Sequence, residues 1–265
     1  MFKAVKLRKV RLRHGLEGLP GASIFRLNED FLTAAVFSRV LYLPSEAMCA
    51  LLLPGLSVSP GKVKESAFWP TLSLQSKNAG MVRVEPDLCV QFEGLDLIVE
   101  AKLSDDPGCQ TPGQWVREWV AWHQAERPDI EKPSLLLAIG GLGAVETTSE
   151  SAAIIGAEAN RLLRIDFLGV PPIRWVALSW QELYNRLESE ILDNGPNSQL
   201  VEDLREILRY FGLRRRHFLG DLGGLARHLR IDRIELVSLN VAARWQSCHR
   251  ELAGVYSHFG RDTGK

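Results

Sequence analysis

Residues 84–103 read VEPDLCVQFEGLDLIVEAKL: two β-rich apolar runs on either side of Glu93-Gly94, with acids and a lysine set into them. The short glycine-containing connection predicts an antiparallel hairpin. A turn centred between Glu93 and Gly94 sets Asp87 opposite Glu100. Side chains two apart on a strand point the same way, so Glu100 and Lys102 share a face. One face of the sheet is therefore expected to gather Asp87, Glu100 and Lys102. The run LDLIVEAKL is apolar on both faces until Glu100, which predicts a central strand. A lone charge in such a place is costly or shifts its pKa, so these charges must answer one another or a bound ion.

The flanking sequence predicts helices around this sheet. Asn28 is a helix cap, Glu29 and Asp30 suit the positive end, and Pro44 ends that helix. Ser45 reads as the cap of a second helix, and GLSVSPGK as a loop. ESAFWPTLSL predicts a strand interrupted at Pro70, and MVRVEPDLCVQF a strand reaching past Asp87. Thr111 and Pro112 open a helix over GQWVREWVAWHQAE, whose Trp115, Trp119 and Trp122 form a stripe that suits packing on a sheet better than stacking on bases. PSLLLAIGGLG is a buried strand, a helix follows around 149–163, and IRWVALSW is another strand. Ser179 and Glu182 match a capping box. QLVEDLREILRYFG is an amphipathic helix closed by Gly212. The order predicts an α/β fold, a mixed sheet with helices on both faces.

Length and composition bound the rest. The 265 residues suit one large domain with an appendage, divided as a core over 1–192 with a basic N-terminal segment and a mainly helical accessory region over 193–265. The 32 basic and 32 acidic residues cancel, so global charge proposes no partner. KAVKLRKVRLRHG (3–15) reads as a basic arm or a half-solvated edge strand, and LRRRH (213–217) as a phosphate contact or a complement to a helix end. The four cysteines lack CxxC spacing and the six histidines lack ligand spacing, which argues against zinc and for free thiols in a reducing cytoplasm. No apolar leader and no run of ~20 apolar residues is seen, so a soluble cytoplasmic protein is expected, with no membrane partner. IGGLG lacks phosphate-loop spacing and reads as a turn.

Two carboxylates held together repel unless a proton or cation joins them. Oxygen donors describe a magnesium or manganese site. Such an ion activates water and polarises a phosphoryl oxygen, and a lysine two residues on can orient the water or steady developing charge. Phosphodiester hydrolysis is the reaction these parts suit.

Pro86-Asp87, then Glu100-Ala101-Lys102 closing an apolar strand, resembles the PD-(D/E)XK nuclease superfamily. The resemblance implies a restriction-endonuclease-like core of helix, three antiparallel strands, helix and another strand, covering residues 28–140. It implies that Asp87 and Glu100 hold Mg²⁺ or Mn²⁺ and that Lys102 is catalytic. Many members place an acid on the first helix near the metal; Glu29 fits that role, and it equally complements the helix dipole. One branch, with recombination exonucleases and related defence nucleases, carries a glutamine on the helix after the lysine strand. Gln114 fits there, or is a solvated first-turn residue. Glu118 stands four residues on, where that branch shows tyrosine, and the next position is Trp119. The resemblance further implies DNA as substrate and a place in bacterial DNA repair, restriction or antiviral defence. With no Walker motif here, any ATP-driven motor or sensor would be a separate subunit. The alternative is a catalytically silent nuclease-fold module for DNA binding or complex assembly. Amphipathic C-terminal helices and zero net charge suit it, and the intact Asp87, Glu100 and Lys102 set argues against it.

Overall fold

A computed structural model describes residues 28–53, 55, 60–76, 80–125, 132–188 and 198–213. The basic segment 3–15, most of LRRRH and residues 214–265 lie outside the described residues, and so do the expectations made for them. Helices α1 (Glu29–Val40) and α2 (Ser45–Leu52) lead into β1 (Val63–Phe68), β2 (Leu72–Ser76), β3 (Gly80–Val84), β4 (Leu88–Phe92) and β5 (Asp96–Ala101). Then come α3 (Pro112–Gln124), β6 (Ser134–Ile139), α4 (Val145–Asp166), β7 (Trp175–Leu178), α5 (Trp180–Leu187) and α6 (Ser198–Tyr210).

Five strands form one mixed sheet in the order β1-β4-β5-β6-β7. β1, β4 and β5 are antiparallel neighbours, while β5, β6 and β7 run parallel through the crossovers α3 and α4. Every residue of β5 and β6 is buried, as their unbroken apolar runs require of strands covered on both faces. One face carries Leu97, Val99 and Ala101 of β5 against Phe31 and Phe37 of α1, Leu51 of α2, Leu183 of α5 and Leu204 of α6. The other carries Ile98 and Leu136 against Trp115, Trp119 and Trp122 of α3 and Ala159 of α4. The tryptophan stripe is core. The expected α/β sandwich with a mixed sheet is thus the architecture found.

Two long strands expected from the sequence are each bent. Phe68 pairs with Leu88 in the main sheet, and Leu72 pairs with Val84 in a separate two-stranded ribbon. The register is the same on both sides, so β1–β2 and β3–β4 are one long hairpin folded at Trp69-Pro70 and Glu85-Pro86-Asp87. Proline has no N–H for a ladder and fixes its own φ, which breaks both strands at the same level. Trp69 takes up the bend at φ 47°, an unusual value for a bulky residue, and its N–H donates to the Asp87 carbonyl at 3.0 Å. Asp87 therefore sits at the fold of the hairpin, one residue before β4, and not inside a strand. Ser45 is likewise a correction: Pro44 occupies the cap position of α2 and makes no side-chain cap hydrogen bond. Helix α6, beyond residue 192, buries Val201, Leu204 and Leu208 in the cluster that covers α1.

Candidate metal centre

Each acid reaches the C-terminal end of β5 for a local reason. Asn28 accepts the Phe31 N–H at 3.0 Å, fixing the start of α1 so that Glu29 is its first residue. Leu88 pairs with Val99, so Asp87, one residue earlier, lies across from Glu100 as the hairpin turn predicts. Glu100 follows Ile98 onto the face that meets α3. Thr111 accepts the Gln114 N–H and Pro112 occupies the first helical position, which begins α3 so that Gln114 faces Glu100.

Single oxygens of Glu29, Asp87 and Glu100 all lie within 4.8 Å of one another. Asp87 is held on both oxygens: Ala101 N–H donates to Oδ2 at 2.8 Å and the Trp69 indole N–H donates to Oδ1 at 3.2 Å. Glu29 Oε2 accepts the Leu103 N–H at 3.1 Å, and Glu29 Oε1 is 3.6 Å from Lys102 Nζ. The Lys102 ammonium hydrogen-bonds Glu100 Oε1, which also accepts from Gln114 Nε2 at 2.7 Å. All five residues singled out from sequence thus converge, and Glu29 does more than complement a helix end. A carboxylate has about four lone-pair positions, so these bonds leave each acid able to ligate a cation. The three carboxylates together offer hard oxygen donors that could hold a metal ion.

Four residues of the site carried no expected role. Glu118 is 2% exposed on α3, and Gln114 Nε2 donates to its Oε1 at 3.1 Å. Gln110 donates to the Glu100 and Gly140 carbonyls, each at 3.3 Å, and accepts from the Trp115 indole at 2.8 Å, tying β5, the loop after β6 and α3 together. The Trp180 indole donates to the Lys102 carbonyl at 2.6 Å. Asp105 accepts the Trp180 and Gln181 N–H groups at 2.7 and 3.1 Å, adding to the Ser179 cap that starts α5. Elsewhere, Asp96 shares the Glu100 face but sits at the opposite end of β5. It is 1% exposed and ion-paired with Lys132. Glu85 pairs with Arg83 at the rim. IGGLG is a turn, and its Gly141 packs against the Lys102 stem. Among the described residues Cys49, Cys89 and Cys109 are free thiols.

Burial dominates the electrostatics. It lifts the Asp87 carboxyl well above the usual range, and the Glu100 charge adds to it. Burial and the neighbouring Glu118 do the same to Glu100. Burial raises Glu29 against the pull of Lys102, and Glu118 is pushed up to about 7, again by burial first. For Lys102 burial acts downward, but the Glu100 charge and hydrogen bond outweigh it and carry the ammonium to about 12. A carboxyl raised in the folded state binds its proton more tightly there than in the unfolded chain. Its contribution to stability is complete below the ordinary value of 4.5 and is lost as pH climbs through the folded value, about 7 for Glu118. Thermal denaturation in EDTA is expected to give a Tm several degrees lower at about pH 8 than at about pH 5. A profile that rises over that range contradicts this account of the acids.

An uncharacterized protein of Pasteurella multocida (strain Pm70) is similar to this chain, 27% identical over 190 residues that cover 70% of each. No family model and no solved structure matches the chain. No helix among the described residues is long and apolar enough to cross a membrane.

Proposed function

We propose that the chain is a Mg²⁺- or Mn²⁺-dependent nuclease that hydrolyses phosphodiester bonds in DNA on a restriction-endonuclease-like core. One observation carries the reading: Glu29, Asp87 and Glu100 gather within 4.8 Å at the end of a buried strand, with the Lys102 ammonium against Glu100 and Glu29. Glu29, Asp87 and Glu100 would hold the ion. A bound divalent cation would supply an activated water and polarise a phosphoryl oxygen.

The protein's own groups divide the remaining work. Asp87, fixed from two sides by Ala101 and Trp69, sets the orientation of the ligand cluster. Lys102 holds its proton up to about 12, so it acts as a fixed positive hydrogen-bond donor beside developing negative charge and not as the base. Gln114 keeps the Glu100 carboxylate turned toward the cluster. The resemblance supports DNA as the polymer, and repair or defence beside a separate motor or sensor subunit.

Cleavage of linear, circular and single-stranded DNA in Mg²⁺, Mn²⁺ or EDTA tests the proposal. Cutting in either metal and none in EDTA is expected, and the substrate pattern separates end-dependent from internal attack. No cutting of any substrate with either ion returns the chain to the silent-module reading. Glu29→Gln is expected to raise the Mn²⁺ concentration needed for half-maximal cleavage about tenfold or more, since one ligand loses its charge. An unchanged metal dependence would leave Glu29 as a helix-start acid that also caps Leu103.

A further inference from the structure

We infer that Glu118 is a positioning residue of this metal centre: with Gln114 it fixes the Glu100 carboxylate, and its charge strengthens the centre's hold on a divalent cation. The inference rests on the metal-dependent reading above. Glu118 lies one helical turn after Gln114 on α3 and is 2% exposed. A single amide nitrogen, Gln114 Nε2, donates to Glu100 Oε1 at 2.7 Å and to Glu118 Oε1 at 3.1 Å, so the two carboxylates are held as a pair by one two-hydrogen donor. The Glu118 and Glu100 carboxyls also hydrogen-bond one another directly, and among the described residues no fixed donor reaches Glu118 Oε2.

That position is expensive for an acid. Glu118 sits within the buried stripe of Trp115, Trp119 and Trp122, where an apolar side chain would pack without desolvating a carboxylate. Glu29, Asp87, Glu100 and Glu118 gather at the end of β5, with the Lys102 ammonium against Glu29 and Glu100 and its charge felt at Asp87 and Glu118. Without metal, the Glu100 and Glu118 carboxyls hydrogen-bond one another, which needs a proton on one of them, and where both ionise Glu118 adds repulsion to an already acid-rich site. With a divalent cation among the ligands, the same charge becomes an attraction at short range in a water-poor setting. Glu118 is thus predicted to weaken the empty fold and tighten the loaded one, an opposition of signs that a residue serving only packing would not produce.

Glu118→Gln keeps the shape and an acceptor for Gln114 while removing the charge, and Glu118→Met removes every polar atom. Both are measured in the full chain by calorimetric titration with Mn²⁺ and by thermal denaturation in EDTA. The expected result is a Mn²⁺ Kd about tenfold higher in each variant, with an EDTA Tm equal to or above wild type. Excess Mn²⁺ should then restore cleavage by Glu118→Gln toward the wild-type rate. Wild-type Mn²⁺ affinity in both variants overturns the inference. So does a lowered EDTA Tm in both accompanied by weaker binding, which would make Glu118 structural. Cleavage is read separately: wild type that binds Mn²⁺ but cuts nothing defeats the nuclease reading and leaves the affinities to judge Glu118, while wild type that binds no Mn²⁺ defeats both.

Discussion

Lys102→Met is expected to abolish cleavage, lowering the rate by about a hundredfold to a thousandfold, the usual cost of removing one fixed donor from developing negative charge. Methionine keeps the stem that packs beside Gly141 and removes the ammonium that joins Glu100 to Glu29. The same change should be felt in the fold. The Lys102 and Glu100 side chains are 14% and 3% exposed, and removing one member of a buried ion pair costs about 3–5 kcal/mol when the other charge is left alone. Glu100 can take up a proton, which moves the loss toward the low end of that range. Thermal denaturation in EDTA should therefore show a lower Tm than wild type, and added Mn²⁺ should recover part of it by supplying the missing positive charge. Wild-type cleavage rates in this variant would remove Lys102 from the mechanism.

Gly140→Ala is expected to cost more stability than any surface change, because the turn after β6 has no room for a Cβ. Gly140 has φ 72°, where a side chain costs about 1–2 kcal/mol before any contact is counted. Its Cβ would stand 2.6 Å from Trp180 Nε1, 2.8 Å from the Ser104 carbonyl oxygen and 2.9 Å from that of Lys102. Two of the three are backbone, so relief requires moving the segment that carries Lys102 and breaking the Trp180 hydrogen bond to it. The expected loss is about 3–5 kcal/mol, roughly ten degrees or more in Tm. Gly55→Ala is the control: its φ is 80° but no atom of the described residues lies within 4 Å of the added Cβ, so it should lose only the conformational part. Equal Tm values for the two variants would contradict this packing of the turn on the Lys102 strand.

The site was legible where one local pattern fixed both position and direction. Period-two alternation and the Glu93-Gly94 turn put Asp87 across from Glu100, and the register of β4 on β5 agrees. Asn28 and Thr111 announced the helix starts that present Glu29 and Gln114. The bends were harder to see, since Pro70 and Pro86 lie far apart in sequence and only their pairing level shows that both strands leave the sheet together. Glu118 leaves a trace in the sequence: an acid on a helix face otherwise filled by Trp115, Trp119 and Trp122 is a buried charge in need of a partner. Gln110 and Asp105 left none, because each acts from a loop on elements distant in sequence, and no periodicity encodes such contacts.

The central claim is that Asp87 belongs to a metal centre that hydrolyses phosphodiester bonds, and the most direct measurement is DNA cleavage in Mn²⁺ by wild type beside Asp87→Ala. The account predicts cutting by wild type, none when EDTA replaces Mn²⁺, and loss of at least about a hundredfold in the variant while it remains folded. Equal cutting by the two proteins, or cutting by wild type that persists in EDTA, would contradict it.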